Sequence, residues 1–511
     1  MGNDKVIKKK NPGQPARCIM VQGTMSDAGK SVVCAALCRI FRQDGYRVAP
    51  FKSQNMALNS YITVDGLEMG RAQAVQALAA GLEPDVRMNP VLLKPSSDTG
   101  SQVIVMGEVR GNYAAKAYFA RKKDLLPEIM AAYHSLAAEY DPIVIEGAGS
   151  PAEINLKQDD IVNMGLAERV DAPVLLVGDI DRGGVFAQLV GTVELLEPHE
   201  RARVAGFVLN KVRGDPSLLE SGLEMLTERT GIPVLGVLPW LELDIDDEDS
   251  LAPRLERTGQ AAPVDVAVIR LPRISNFTDF APLERHPALG IRYVTDPAKL
   301  GAPDLVILPG TKSTAEDLRW LGENGLAAAA CRLAEAGTPV LGVCGGYQML
   351  GEALRDPLGV EGGGTLSGLG LLPCETEFTA EKLRTRVAAE VLAGPFRGAR
   401  LEGYEIHMGR TDRKTAAPFC RLSDGREDGA VSGNVFGTYL HGLFDSGELT
   451  DRLANWLLAR KGLEGGAAGT ENHAAHQDRQ LDLLASAVRE HLDLPAVCRI
   501  MEQWEGRDRG V

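Results

Sequence analysis

The 511-residue sequence predicts an α/β protein of two parallel-sheet domains in series. Three observations carry this. Short apolar runs alternate with longer segments of helical period, the pattern of repeated strand–helix units. The alternation occurs in two series that share no residue pattern. An acidic stretch without apolar periodicity lies between them.

In the first series the predicted strands are Cys18 to Gln22, Arg47 to Phe51, Ile143 to Ile145, Val174 to Gly178, Val204 to Leu209 and Val234 to Val237, with helical segments between them. These define a first domain over residues 1–241. Residues 242–262 include Asp246-Asp247-Glu248-Asp249 and read as a linker. The second domain, 263–461, has predicted strands at Val264 to Ile269, Leu305 to Leu308 and Val340 to Val343. Shorter, glycine-rich strands are expected from there to Tyr439, then a helix from about Ser446 to Arg460. Residues 462–511 read as a Gly/Ala-rich joint, Gly462 to Gly469, and an amphipathic helix from about Asp478 to Leu492.

Composition narrows the function. Hydrophobic residues at 44% and charged residues at 24% are those of a folded globular chain. With 55 Lys plus Arg against 69 Asp plus Glu, the net charge of −14 disfavours nucleic acid as a partner. Lys8-Lys9-Lys10 precedes only the short apolar run Ile19-Met20-Val21, too little for an export signal, and no apolar run is long enough to span a bilayer. The expected location is cytoplasmic, with no membrane partner. Eight cysteines without a CxxC pair fit reduced thiols.

The first chemically loaded stretch is Gly23-Thr24-Met-Ser-Asp-Ala-Gly29-Lys30-Ser31, directly after a strand and before a helix. Backbone N–H groups of such a turn wrap phosphate oxygens, Lys30 reaches the outer phosphates, and the Ser31 hydroxyl can ligate Mg²⁺. Five residues rather than the usual four separate Gly23 from Gly29. Glu146, ending an apolar strand, stands where an acidic group approaches the metal. Asn210 also ends a strand and suits either an adenine edge or a turn. Asp179 and Asp181 are left without a role.

The second loaded stretch is Pro339-Val-Leu-Gly-Val-Cys344-Gly345-Gly346-Tyr347-Gln348. A strand running into Gly-x-Cys-Gly-Gly is a nucleophile elbow: the tight turn exposes the thiol, and the Gly345 N–H faces a developing oxyanion. The matching base is His441, in Gly437-Thr-Tyr-Leu-His441-Gly442. His407 competes for that role.

These motifs, with Phe51-Lys52-Ser53-Gln54-Asn55-Met56, Leu92-Leu93-Lys94-Pro95 and Glu146-Gly147-Ala148-Gly149, resemble the cobyric acid synthase family over nearly the whole chain. The long P-loop spacing is similar to that of dethiobiotin synthetase. The resemblance implies an N-terminal P-loop domain of dethiobiotin synthetase type that uses ATP and Mg²⁺, with Gly23, Thr24, Gly29, Lys30, Ser31, Lys52 and Asn210 at the nucleotide and Ser31 and Glu146 at the metal. It implies a C-terminal class I glutamine amidotransferase domain with Cys344 and His441 catalytic. The implied substrates are a corrinoid, glutamine and ATP, and the implied reaction amidates the b, d, e and g carboxylates of adenosylcobyrinic acid a,c-diamide. The related cobyrinic acid a,c-diamide synthase is the nearest alternative. A P-loop switch protein with an inactive glutaminase half is a more distant one, disfavoured by Thr24, where such switches commonly carry a lysine. Class I glutaminases place a Glu two residues after the catalytic His, but Leu443 stands there. A backbone carbonyl or hydroxyl is therefore expected to orient His441.

Overall fold

In the computed structural model, residues 16–96, 100–246, 253–256, 261–466 and 469–504 are described. Lys8 to Lys10 and Asp247 to Asp249 lie outside the described residues. The first sheet has six parallel strands in the order Val234–Pro239, Val204–Val212, Val174–Asp179, Cys18–Gly23, Ile143–Glu146 and Ala49–Phe51. Its strands read as unbroken apolar runs because helices cover both faces. The helix Lys30–Gln43 buries Val33, Leu37, Ile40 and Phe41, the spacing of a single helical face.

Between Ala49–Phe51 and Ile143–Glu146 the chain leaves this sheet. It builds a four-stranded sheet, Gln54–Met56, Val91–Pro95, Gly100–Val105 and Glu108–Ala114, and a hairpin of Ser60–Ile62 with Glu68–Gly70. Here also lies the helix Arg71–Ala80.

The second domain repeats the parallel plan in the order Leu289–Val294, Val264–Ile269, Leu305–Leu308, Val340–Val343 and Val435–Thr438, with Ala430–Ser432 antiparallel at the edge. Where short glycine-rich strands were expected, two long strands stand instead: Glu375–Val391 and Arg400–Asp412 pair antiparallel, with a register shift between Phe378 and Leu383. Charged residues interrupt the first of these along its length, which hides its period in the sequence. This ribbon reaches the first domain. Lys382 Nζ binds Glu68 at 2.5 Å, Arg386 Nε donates to the Ile62 carbonyl at 3.0 Å, and Arg384 binds Glu108 at 2.6 Å.

The C-terminal segment holds two helices, His473–His491 and Leu494–Trp504, where one was expected. Both pack on the first domain. Leu481, Leu484, Val488 and Val497 join the core around Val33, Leu37 and Leu235, and Asp493 N–H donates to the Leu235 carbonyl at 2.7 Å. At the described end of the linker, Asp244 accepts from His476 at 3.0 Å and Asp246 from His473 at 3.0 Å. Among the described residues, no helix is long and apolar enough to cross a membrane.

Candidate active site

Cys344 follows the strand Val340–Val343 with φ 51° and ψ −108°, a conformation hostile to any residue with a Cβ. The surroundings impose it. The Cys344 N–H donates to the Thr438 carbonyl at 2.8 Å, and a Cβ at Gly346 would stand 1.9 Å from the Leu308 carbonyl oxygen, so glycine is required there. Gly345 opens the helix Gly345–Leu350 against Thr311. The register pairs Val343 with Thr438, which sets the chain after one strand beside the chain after the other. Cys344 and His441 thereby meet.

His441 lies on Leu440–His441, opposite Tyr404, whose ring stacks on the imidazole at 5.2 Å between centroids. The expectation that a carbonyl or hydroxyl orients His441 is corrected. Its Nδ1 lies 2.6 Å from Oδ2 of Asp279, whose Oδ1 accepts from the Gly442 N–H at 3.0 Å. Asp279 stands on the turn Phe277–Phe280, held between two fully buried phenylalanines. No motif marks it. The available signal was an acidic residue inside the apolar run Phe277-Thr278-Asp279-Phe280, since a buried carboxylate requires a partner.

Burial alone would push the His441 pKa down. The Asp279 charge and hydrogen bond outweigh it, reinforced by Cys344, and raise it from 6.5 to about 10. The imidazole is therefore cationic at neutral pH, with Nδ1 donating to Asp279. The rival His407 points elsewhere: it stacks on Tyr439 at 3.7 Å, and its Nδ1 faces the Gly409 carbonyl at 2.8 Å. Glu405 is bound by Arg426 at 2.6 and 3.3 Å. The Cys344 thiol donates to the Ile406 carbonyl at 3.5 Å. From the next residue, His407, Met408, Gly409 and Thr411 line a cavity of about 410 Å³ that also touches Arg410, Glu381 and Tyr439.

In the first domain, the turn after Cys18–Gly23 is braced by Asn210. Its Nδ2 donates to the Ala28 carbonyl at 3.0 Å and lies 2.0 Å from where a Cβ would sit on Gly29, whose φ is +102°. Thr24 bonds Gln188 at 3.1 Å. Lys30 folds back to the Met25 carbonyl at 2.9 Å; burial, opposed by Glu146, brings its pKa down to about 8. Ser31 Oγ donates to Glu146 Oε1 at 2.9 Å, and Lys52 Nζ binds the same oxygen at 2.7 Å. The other oxygen, Oε2, accepts from Gln73 at 3.3 Å and Gln76 at 2.5 Å. Burial opposes charge on Glu146, yet Lys52 and these hydrogen bonds hold its carboxyl below the ordinary range. The Gln76 amide oxygen is buried without a partner. Two oxygen donors, Ser31 and Glu146, beside an orphaned amide oxygen fit a hard divalent cation. Asp179 pairs with Lys211 at 2.9 Å and Asp181 with Arg213 at 2.7 Å, both ordinary ion pairs.

The fold and these residues define a nucleotide-binding domain joined to a class I glutamine amidotransferase domain. Residues 19–251 match the CobQ/CobB/MinD/ParA nucleotide binding domain, and residues 265–449 match the CobB/CobQ-like glutamine amidotransferase domain. The chain belongs to the cobyric acid synthase family. It is 54% identical over 508 residues to the cobyric acid synthase of Ruminiclostridium cellulolyticum, covering 97% of this chain and 98% of that one. It is 55% identical over 504 residues to that of Yersinia enterocolitica, covering 95% and 98%. For the relative from Lachnoclostridium phytofermentans the identity is 52%, with coverage of 96% and 99%.

Proposed function

We propose that this chain is a cytoplasmic enzyme that amidates the b, d, e and g carboxylates of adenosylcobyrinic acid a,c-diamide, using ATP and glutamine, to give adenosylcobyric acid. The observation that carries the reading is the contact of Asp279 with His441 beside the strained Cys344, in the same chain as a phosphate-binding turn whose Ser31 touches Glu146. The near-complete coverage of relatives named cobyric acid synthase supports the corrinoid substrate.

A carboxylate resists ammonia until its oxygen becomes a leaving group, which transfer of the ATP γ-phosphoryl group achieves. The backbone of Gly23 to Gly29 cradles the phosphates, and Lys30 and Lys52 offset their charge. Ser31 and Glu146 would hold Mg²⁺, which would supply positive charge to offset the charge developing on the transferred phosphoryl group. Asn210 fixes the turn.

In the other half, Cys344 acts as the thiolate beside the imidazolium of His441. The thiolate attacks the glutamine amide carbon, and the Gly345 N–H stabilises the oxyanion. His441 then gives its Nε2 proton to the departing ammonia, while Asp279 holds Nδ1–H and keeps the ring in register. Water attacks the thioester and releases glutamate, with His441 taking the proton.

The test is incubation with ATP, Mg²⁺, glutamine and the corrinoid a,c-diamide, read by mass. Four successive acid-to-amide steps are expected. An unchanged corrinoid mass, with glutamine still hydrolysed, would reject the substrate assignment.

A further inference from the structure

The helix Arg71–Ala80 touches both sites. At its first residue, Arg71 Nη2 donates to the Tyr404 hydroxyl at 3.0 Å, and Tyr404 is the ring stacked on His441. Further along the helix, Gln73 and Gln76 hold Oε2 of Glu146, and Gln76 also reaches the Ser31 carbonyl at 3.4 Å. Gln73 and Gln76 are almost fully buried, so water cannot readily replace a lost partner. A ten-residue helix is about 15 Å long.

We propose that this helix couples the two sites, with Arg71 and Tyr404 acting as positioning residues for His441. A cation held by Ser31 and Glu146 pulls on the carboxylate from its Oε1 side and so disturbs Oε2, the oxygen that Gln73 and Gln76 hold. The two amides turn away or follow the carboxylate, and the helix shifts with them. Its first residue carries the shift to the Tyr404 hydroxyl, and the stacked ring passes it to the imidazole. Tyr404 lies opposite His441 in the same antiparallel pair, so its displacement cannot leave His441 untouched. The glutaminase site is thereby set by occupancy of the nucleotide site. This inference rests on the proposed roles of both sites.

Linkage makes the effect reciprocal: whatever factor nucleotide adds to glutamine affinity, glutamine adds to nucleotide affinity. The experiment is calorimetric titration of Cys344→Ser, which cannot turn glutamine over. Glutamine is titrated with and without Mg²⁺ and a non-hydrolysable ATP analogue, then the analogue with and without glutamine. Each ligand is expected to tighten the other by about fivefold or more, within the usual range of coupling. Adding Tyr404→Phe, which keeps the ring and removes only the acceptor of Arg71, should bring both factors close to one. Gln76→Met, in the middle of the helix, should do the same. A merely structural defect would weaken both titrations and leave the factors unchanged. Mutual effects that survive Tyr404→Phe and Gln76→Met, or two ligands that bind Cys344→Ser without influencing each other, would overturn the coupling. Failure of either ligand to bind Cys344→Ser at all would overturn the functional reading and the inference with it.

Discussion

His441 and Asp279 stand 162 residues apart in sequence, and Nδ1 of one lies 2.6 Å from Oδ2 of the other. The contact gives His441 a carboxylate partner although Leu443, two residues after it, offers none. Because the Phe277–Phe280 turn and the Leu440–His441 strand are both buried, water does not screen the pair.

Asp279→Asn should therefore lower glutamine hydrolysis by roughly 10²- to 10⁴-fold, the range for loss of an orienting carboxylate or a positioned acid. Ammonia-dependent synthesis should persist. The pH profile should move as well. The pKa of His441 is raised from 6.5 to about 10, so the pairing stabilises the fold fully below about pH 6.5, and this contribution fades as pH rises through 10. In Asp279→Asn only Cys344 is left to oppose burial, and the alkaline limb of the glutaminase rate should shift down by at least about one pH unit. An unmoved limb would separate Asp279 from the titration of His441.

Glu405 provides the control. It serves Arg426 and faces His407, and His441 is not among its partners. Glutaminase assays of Glu405→Gln are expected to lose less than about tenfold, against roughly 10²-fold or more for His441→Ala. Equal losses in folded protein would make Glu405 part of the catalytic set.

Lys30→Ala should abolish synthesis with either nitrogen donor while measurable glutamine hydrolysis remains. One preorganised donor to a transferring group accounts for roughly 10²- to 10³-fold in rate. Product mass and glutamate release, followed in one sample, decide this. Wild-type synthesis in Lys30→Ala would remove the phosphate-binding role from this turn.

Glu68 is fully buried between Lys94 at 2.8 Å and Lys382 at 2.5 Å, one lysine from each domain. Both lysines outweigh burial and keep its carboxyl far below the ordinary range. Removing one member of a buried charge set leaves the others uncompensated, at about 3–5 kcal/mol. Denaturant unfolding of Glu68→Ala should register a loss of that size. A loss below about 1 kcal/mol would mean that water reaches the lysines.

Much of the site was legible because its residues follow strands whose apolar runs stand out. Cys344 sits after Val340–Val343 and Glu146 ends Ile143–Glu146, both placed from the sequence. Asp279 was missed because its partner lies far along the chain and no fixed spacing links the two. Gln73 and Gln76 were missed because buried amides look like ordinary surface residues on an Ala-rich helix. No strand is predicted over Gln54–Met56, because two of its three residues are amides. The docking of His473–His491 on the first domain is a contact between chain ends, beyond the reach of local periodicity.

The proposed reaction rests on a division of labour: one site makes ammonia and the other uses it. Cys344→Ser, assayed with ATP, Mg²⁺ and the corrinoid a,c-diamide, measures this most directly, with amide formation followed by mass from glutamine and from added ammonium salt. The expected result is no amidation from glutamine and near wild-type amidation from ammonia. Loss of both in a folded protein, or amidation from glutamine that survives, would contradict it.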